Sequence, residues 1–269
     1  MPNHVRNVIK MQGIIELPLF RTYDDGSKGF DFNKMIPMPE SLNMDSGSMV
    51  DDYAIYYLTD RCTVPVSRVS AEKKAVITKM IANKMFGNEE WIQRTFYRAM
   101  ERAFDETEAK RKKMYEDGKT YVENLQNYGY ATWYDWCIAN WDTKWNAYDN
   151  ESEGTDCIKF STAWANPEPV IRKLAEMYPG ARIEHWWADE DTGNNTGYRI
   201  FEDGKEAEDS AGYYENCSKE AYSCYELCWG EMSKCYHKDE NGTECSMTVK
   251  AVLGAAWAQH DCIDHTGCD

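Results

Sequence analysis

The sequence predicts an α+β protein, and three observations carry that expectation. Between residues 51 and 129, apolar side chains recur at helical spacing. On either side of that block, HVRNVIKM (4–11), the 156–164 stretch, ARIEHWWAD and GYRIFEDG alternate in the manner of strands. Seven of the ten tryptophans fall between Trp133 and Trp187. Each such ring can bury about 150–250 Å², so the densest packing is expected there.

Val5, Asn7 and Ile9 alternate with Arg6, Val8 and Lys10, a strand bounded by Gly13. Leu17–Gly29 holds Pro18 and the turn pair Asp25-Gly26, so it reads as a loop or a short hairpin. Pro37 and Pro39 forbid a regular helix in FDFNKMIPMPESL (30–42), leaving an extended segment with Phe30, Phe32, Met35 and Ile36 inward. Ser70 is placed to cap a helix with the stripe Ile77, Met80, Ile81 and Met85, stopping at Gly87. Asn88 caps the next, with Ile92, Phe96, Ala99, Met100 and Ala103 inward and a charged far end stopping at Gly118. Thr120 and Glu123 then form a capping-box pair for a third, short helix.

Thr132 and Asp135 open another short helix carrying Trp136, Cys137 and Ile138. Pro167 and Pro169 mark a helix entrance, where a missing N–H costs nothing. That helix is expected to bury Val170, Ile171, Leu174 and Met177 and to end at Pro179-Gly180. Two strands follow around the turn DEDTGNNTG. The tail holds seven cysteines. A helix from Ser218 to about residue 237 aligns Ala221, Cys224, Tyr225, Cys228, Met232 and Cys235, and a second over 246–259 completes a hairpin.

The order of a short strand, FDFNKMIPMPESL, a helical block, WCIANWDTKWNAYD, FSTAWANPEPVIRKLAEMYPG and a closing strand pair resembles the YubB-type, avirulence-induced-like family. That family is carried mainly by phages and plasmids. The likeness covers residues 1 to about 205. It implies a ferredoxin-like antiparallel sheet interrupted by a helical insertion, here with a Cys-rich helical C-terminal extension, and it implies no activity. The expected divisions are 1–50 (first strand and extended segment), 51–130 (helical insertion), 131–209 (remainder of the α+β domain) and 210–269 (extension).

Charge is distributed unevenly. Residues 1–130 hold 19 basic and 19 acidic side chains, whereas residues 131–269 hold 11 and 27, which gives the whole net charge of −16. An acidic half repels nucleic acid, whose binding depends on Lys and Arg neutralising phosphates. It attracts a basic protein surface and speeds that encounter. Residues 61–119 lean the other way, with 14 basic and 9 acidic side chains. Such a run is a solvated helical face or a phosphate-gripping patch. No apolar run is long enough to span a bilayer, mean hydropathy is −0.72, and MPNHVRNVIK has no apolar leader core, so a cytoplasmic protein is expected.

Zinc is one candidate, on Cys224, Cys228, Cys262 and His265, since four thiolate or imidazole ligands close a tetrahedral site. Paired C-x-x-C knuckles are missing, and cysteines at helical spacing also serve as small buried hydrophobes. A disulfide within the tail is a further alternative. A cysteine hydrolase would need Cys137 with His185 as its base. Asp189, Glu190 and Asp191 could offer oxygen ligands to a hard cation but lack a calcium-loop spacing. The tryptophans could stack bases, yet their neighbours are carboxylates. No phosphate-cradling glycine loop occurs.

The expected function is therefore non-enzymatic: a phage or mobile-element protein that presents Asp189, Glu190, Asp191, Glu202, Asp203, Glu206, Glu208 and Asp209 to a basic host protein. A nuclease or an RNA-guided defence complex is the expected partner, with no cofactor and no membrane. The alternatives are an enzyme or nucleic-acid-handling protein with an unseen site, and an accessory protein that oligomerises through its tail.

Overall fold

The computed structural model describes residues 2–84 and 86–230. Met85, the helix expected over 246–259, and Met232, Cys235, Cys245, Cys262, His265 and Cys268 lie outside the described residues. The chain divides into two compact units, Met38–Ala139 and Met1–Pro37 with Asn140–Asp269.

The first unit is helical. Its elements are α1 (Ser48–Leu58), α2 (Ala71–Ala82), α3 (Glu89–Asp105), α4 (Glu108–Tyr128) and the start of α5 (Trp133–Trp141). Caps set three of the starts: Ser70 accepts from Lys73 N, Asn88 from Trp91 N and Thr107 from Lys110 N. Leu58, Ile55, Met80, Ile92 and Leu125 pack the core that α1 to α4 share.

Two expectations fail here. α4 runs unbroken for 21 residues through Gly118, so Thr120 opens no helix and instead donates its hydroxyl to Glu116 O. Gly118 serves packing, since a Cβ there would lie 2.0 Å from Tyr53 O on α1. Met100 is 44% exposed, and Thr95 takes the inward position on α3.

The second unit holds β1 (His4–Lys10), the hairpin β2 (Phe20–Thr22) and β3 (Lys28–Phe30), then β4 (Tyr148–Glu153), β5 (Cys157–Ala163), α6 (Glu168–Met177), β6 (Ile183–Asp189), β7 (Gly197–Glu202), β8 (Lys205–Glu206), β9 (Gly212–Tyr213) and α7 (Lys219–Trp229). The main sheet runs β4-β5-β1-β6-β7-β8, with β9 also on β7, and every pairing is antiparallel. β1 lies between β5 and β6, so the β5–α6–β6 crossover skips one strand. The first crossover, from β1 to β4, skips β5 in the same way. Two such split βαβ units make a ferredoxin-like sheet. Its first crossover contains the helical unit.

Strand alternation assigns the two faces. Val5, Asn7 and Ile9 share a face with Phe160, His185 and Trp187, and α6 covers it, with Arg172 over Phe201 and Arg199 paired to Glu168. Val8, Cys157 and Ala188 line the other, where α7 packs Cys224 and Cys228 against them. Gly197 leaves room for the Trp187 ring, whose nearest carbon would lie 2.1 Å from a Cβ.

Other packing departs from expectation. On α6, Met177 is 40% exposed and Ala175 is the buried neighbour of Leu174. Trp136, Trp141 and Trp187 are buried, but Trp145 and Trp164 stand half out of the core, each near Lys144 Nζ.

Candidate functional site

β6 and β7 position the expected acidic surface, and they split it. Asp189 ends β6 buried, accepting from Asn3 Nδ2 (3.1 Å), Asp191 N (3.0 Å) and Asn195 Nδ2 (3.2 Å). It organises the β6–β7 turn and offers nothing to a partner, which corrects its place in the surface. Glu190 and Asp191 stay exposed on that turn. The other five carboxylates lie at the opposite end of β7, about 20 Å away along a six-residue strand.

Of those five, Glu206 is half-buried and ion-paired with Arg172 and Arg199, which also hold Glu168. Glu202 is exposed but pairs with Arg182. Asp203, Glu208 and Asp209 are exposed and have no ion-pair partner among the described residues. The exposed rim is thus Glu202, Asp203, Glu208 and Asp209, around the β7–β8 turn. The charge of the two units differs as the composition suggested. The ferredoxin-like unit holds 16 basic and 30 acidic side chains, the helical unit 14 and 16.

Neither member of the expected hydrolase pair suits the chemistry. Cys137 is buried against Met38 Sδ (3.9 Å), and burial pushes its thiol up to about 12, so it stays protonated. His185 is wholly buried in β6, its ring 3.0 Å from Asn7 Oδ1. Burial first and the Arg199 charge second bring it down to about 3. Of the expected zinc ligands, Cys224 and Cys228 are buried on the inner face of α7; Cys262 and His265 lie outside the described residues. Cys224 Sγ donates toward Trp187 O (3.2 Å) and Gly197 O (3.3 Å), and burial raises the Cys228 thiol well above its ordinary range. Among the described residues no three His, Cys, Asp or Glu side chains converge as metal ligands. For base stacking, Trp186 is half-buried, already stacked on Tyr198 with ring centres 4.7 Å apart and Lys10 Nζ 5.1 Å from its ring.

A charged cavity that the sequence reading missed lies within the helical unit. It encloses about 310 Å³ and is lined by Asp51, Lys84, Tyr121 and Asp135, with Gly47 and Tyr134. Asp51 is buried, accepting from Tyr121 OH (2.9 Å) and pairing with Lys84 Nζ (2.9 Å). Burial raises the Asp135 carboxyl, the Asp51 charge adds to this, and Lys84 opposes it. Burial and Asp51 together raise the Tyr121 phenol well above its ordinary range. One signal was present: two adjacent aspartates, Asp51 and Asp52, inside the buried run of α1.

Comparison with known proteins bears on the sheet. Residues 140–241 match the family model described as the ferredoxin-like domain in Api92-like protein. Over that segment the chain is similar to the ferredoxin-like domain of Api92-like proteins. The matched segment takes in β4 to β9 with α6 and α7, so it contains the acidic rim and excludes the helical unit. Among solved structures, the chain is similar to the crystal structure of protein Api92 from Yersinia pseudotuberculosis, at 9% identity and a TM-score of 0.34, covering 81% of this chain and 100% of that one. No curated protein matches.

Proposed function

We propose that this protein, similar to Api92-like proteins over its ferredoxin-like segment, is a non-enzymatic interaction protein of a phage or other mobile element, acting in the host cytoplasm to inhibit a basic defence protein. The observation that carries this reading is the charge imbalance of the ferredoxin-like unit, net −14, with Glu202, Asp203, Glu208 and Asp209 open around one strand turn. Carboxylates in a groove built for phosphate occupy its Lys and Arg side chains without being a substrate. The target class is therefore a nuclease or RNA-guided complex. No helix among the described residues is long and apolar enough to cross a membrane.

The test is capture of purified host nucleases and defence complexes on the immobilised protein at low and high salt. Binding at low salt that fades as salt rises supports the reading, because exposed charge pairs are screened. No capture at low salt, or capture indifferent to salt, contradicts it.

The cavity with Asp51, Lys84, Tyr121 and Asp135 favours a second reading, an enzyme that uses acid–base side chains. An activity screen of wild type beside D135N decides for it if a turnover appears and the variant abolishes it.

A further inference from the structure

α3 is apolar on two faces. The inward one, Ile92, Thr95, Ala99 and Ala103, is buried in the helical unit. The outward one carries Tyr97, Met100 and Phe104, spaced i, i+3, i+7 and 56%, 44% and 85% exposed. Single exposed apolar side chains are ordinary, but a row of them along one helix marks a contact surface. Beside this row, helical spacing places exposed Glu101 and Asp105, together with Glu90, which pairs with Arg94 at 4.0 Å. Arg98 and Arg102 turn away from that flank, onto buried Asp52 at 2.9 and 3.4 Å.

We propose that the outward face of α3 docks an amphipathic helix of a partner protein, whose apolar side chains meet Tyr97, Met100 and Phe104 and whose lysines or arginines meet Glu101 and Asp105. Charge complementarity selects a basic helix. Charge argues against a second copy, which would bring the Glu101 and Asp105 flank against the same carboxylates. One helix laid along another, anchored at i, i+3 and i+7, matches the row. This surface belongs to the helical unit and does not rest on the acidic rim.

The probe is a fluorescein-labelled 16-residue helical peptide with leucines along one face and lysines beside them. Its control has the same composition with leucines spread around the helix. Titrated with the full-length protein, the patterned peptide is expected to bind at least about tenfold tighter than the control. Y97S/F104S is expected to weaken binding by about tenfold or more with an unchanged melting temperature, since both side chains are exposed. E101K/D105K is expected to weaken binding and flatten its salt dependence, whereas E202K/D203K/E208K/D209K leaves it intact. Equal binding of the control, binding untouched by Y97S/F104S, or no binding of either peptide overturns the proposal. So does a dimer in solution that F104S converts to monomer, which would give this face to a second copy. If Y97S/F104S fails to fold, F104S alone carries the same comparison.

Discussion

His185 shows how one buried side chain ties three strands together. Its Nε2 donates to Asn7 Oδ1 across β6 and β1, and Asn7 Nδ2 donates to Thr162 Oγ1 on β5 at 2.9 Å. With the folded-state pKa near 3 and the ordinary value at 6.5, the unfolded chain takes up a proton that the folded chain refuses. Stability is therefore full above about pH 6.5 and falls on acidification, at up to about 1.4 kcal/mol per pH unit. Chemical denaturation at pH 7 and pH 5 is expected to reveal a loss of about 2 kcal/mol, which H185Q flattens. N7L strands the partners of both amide groups and is expected to cost about 1–3 kcal/mol at pH 7. Neither role was legible in a sequence where Asn7 reads as one position of an alternating strand. The burial of Asp189 was hidden for a related reason: it depends on Asn3 and Asn195, which come from the far N-terminus and the next turn.

Among elements, α4 is the most instructive. A glycine inside a charged run reads as a stop, yet here it lets two helix backbones approach. G118A is expected to destabilise by about 2–3 kcal/mol through overpacking against Tyr53, read as a lowered denaturant midpoint. T107A removes a helix cap and is expected to cost about 1 kcal/mol, while T120A stays within about 0.5 kcal/mol because Thr120 is mid-helix, half-buried, and its hydroxyl only returns a bond to Glu116 O. The reverse order would mean that the helix does break at Gly118. β1, β5, β6, β7 and α6 lie where periodicity put them, whereas the helix expected from Asn88 to Gly118 divides at Glu106-Thr107 into α3 and α4. β4 was not readable from the sequence, because YDNESE is an edge strand with mostly exposed side chains and one register shift against β5. Its place comes from backbone pairing, which leaves no hydrophobic pattern. The Asp51–Lys84–Tyr121–Asp135 cavity was hidden for another reason. Its side chains are spread over 84 positions of sequence and meet only when the helices pack.

At the scale of the molecule, the charge step first seen along the sequence becomes a difference between two units, net −14 against −2. Folding redistributes it. Arg172, Arg182 and Arg199 neutralise part of the acidic edge, and Asp189 is withdrawn inside. The eight carboxylates that read as one surface separate into a two-residue turn and a four-residue rim, with two members occupied internally. What faces outward is smaller than the composition suggested and is concentrated around the β7–β8 turn. The measurement that tests its role most directly is phage plating on a host with an active nuclease or RNA-guided defence, with wild-type protein or E202K/D203K/E208K/D209K expressed. The expected result is plating efficiency raised at least about tenfold by the wild type and returned to baseline by the variant, in line with the loss of several rim charges. Equal protection by the folded variant, or no protection by either across such hosts, would contradict it.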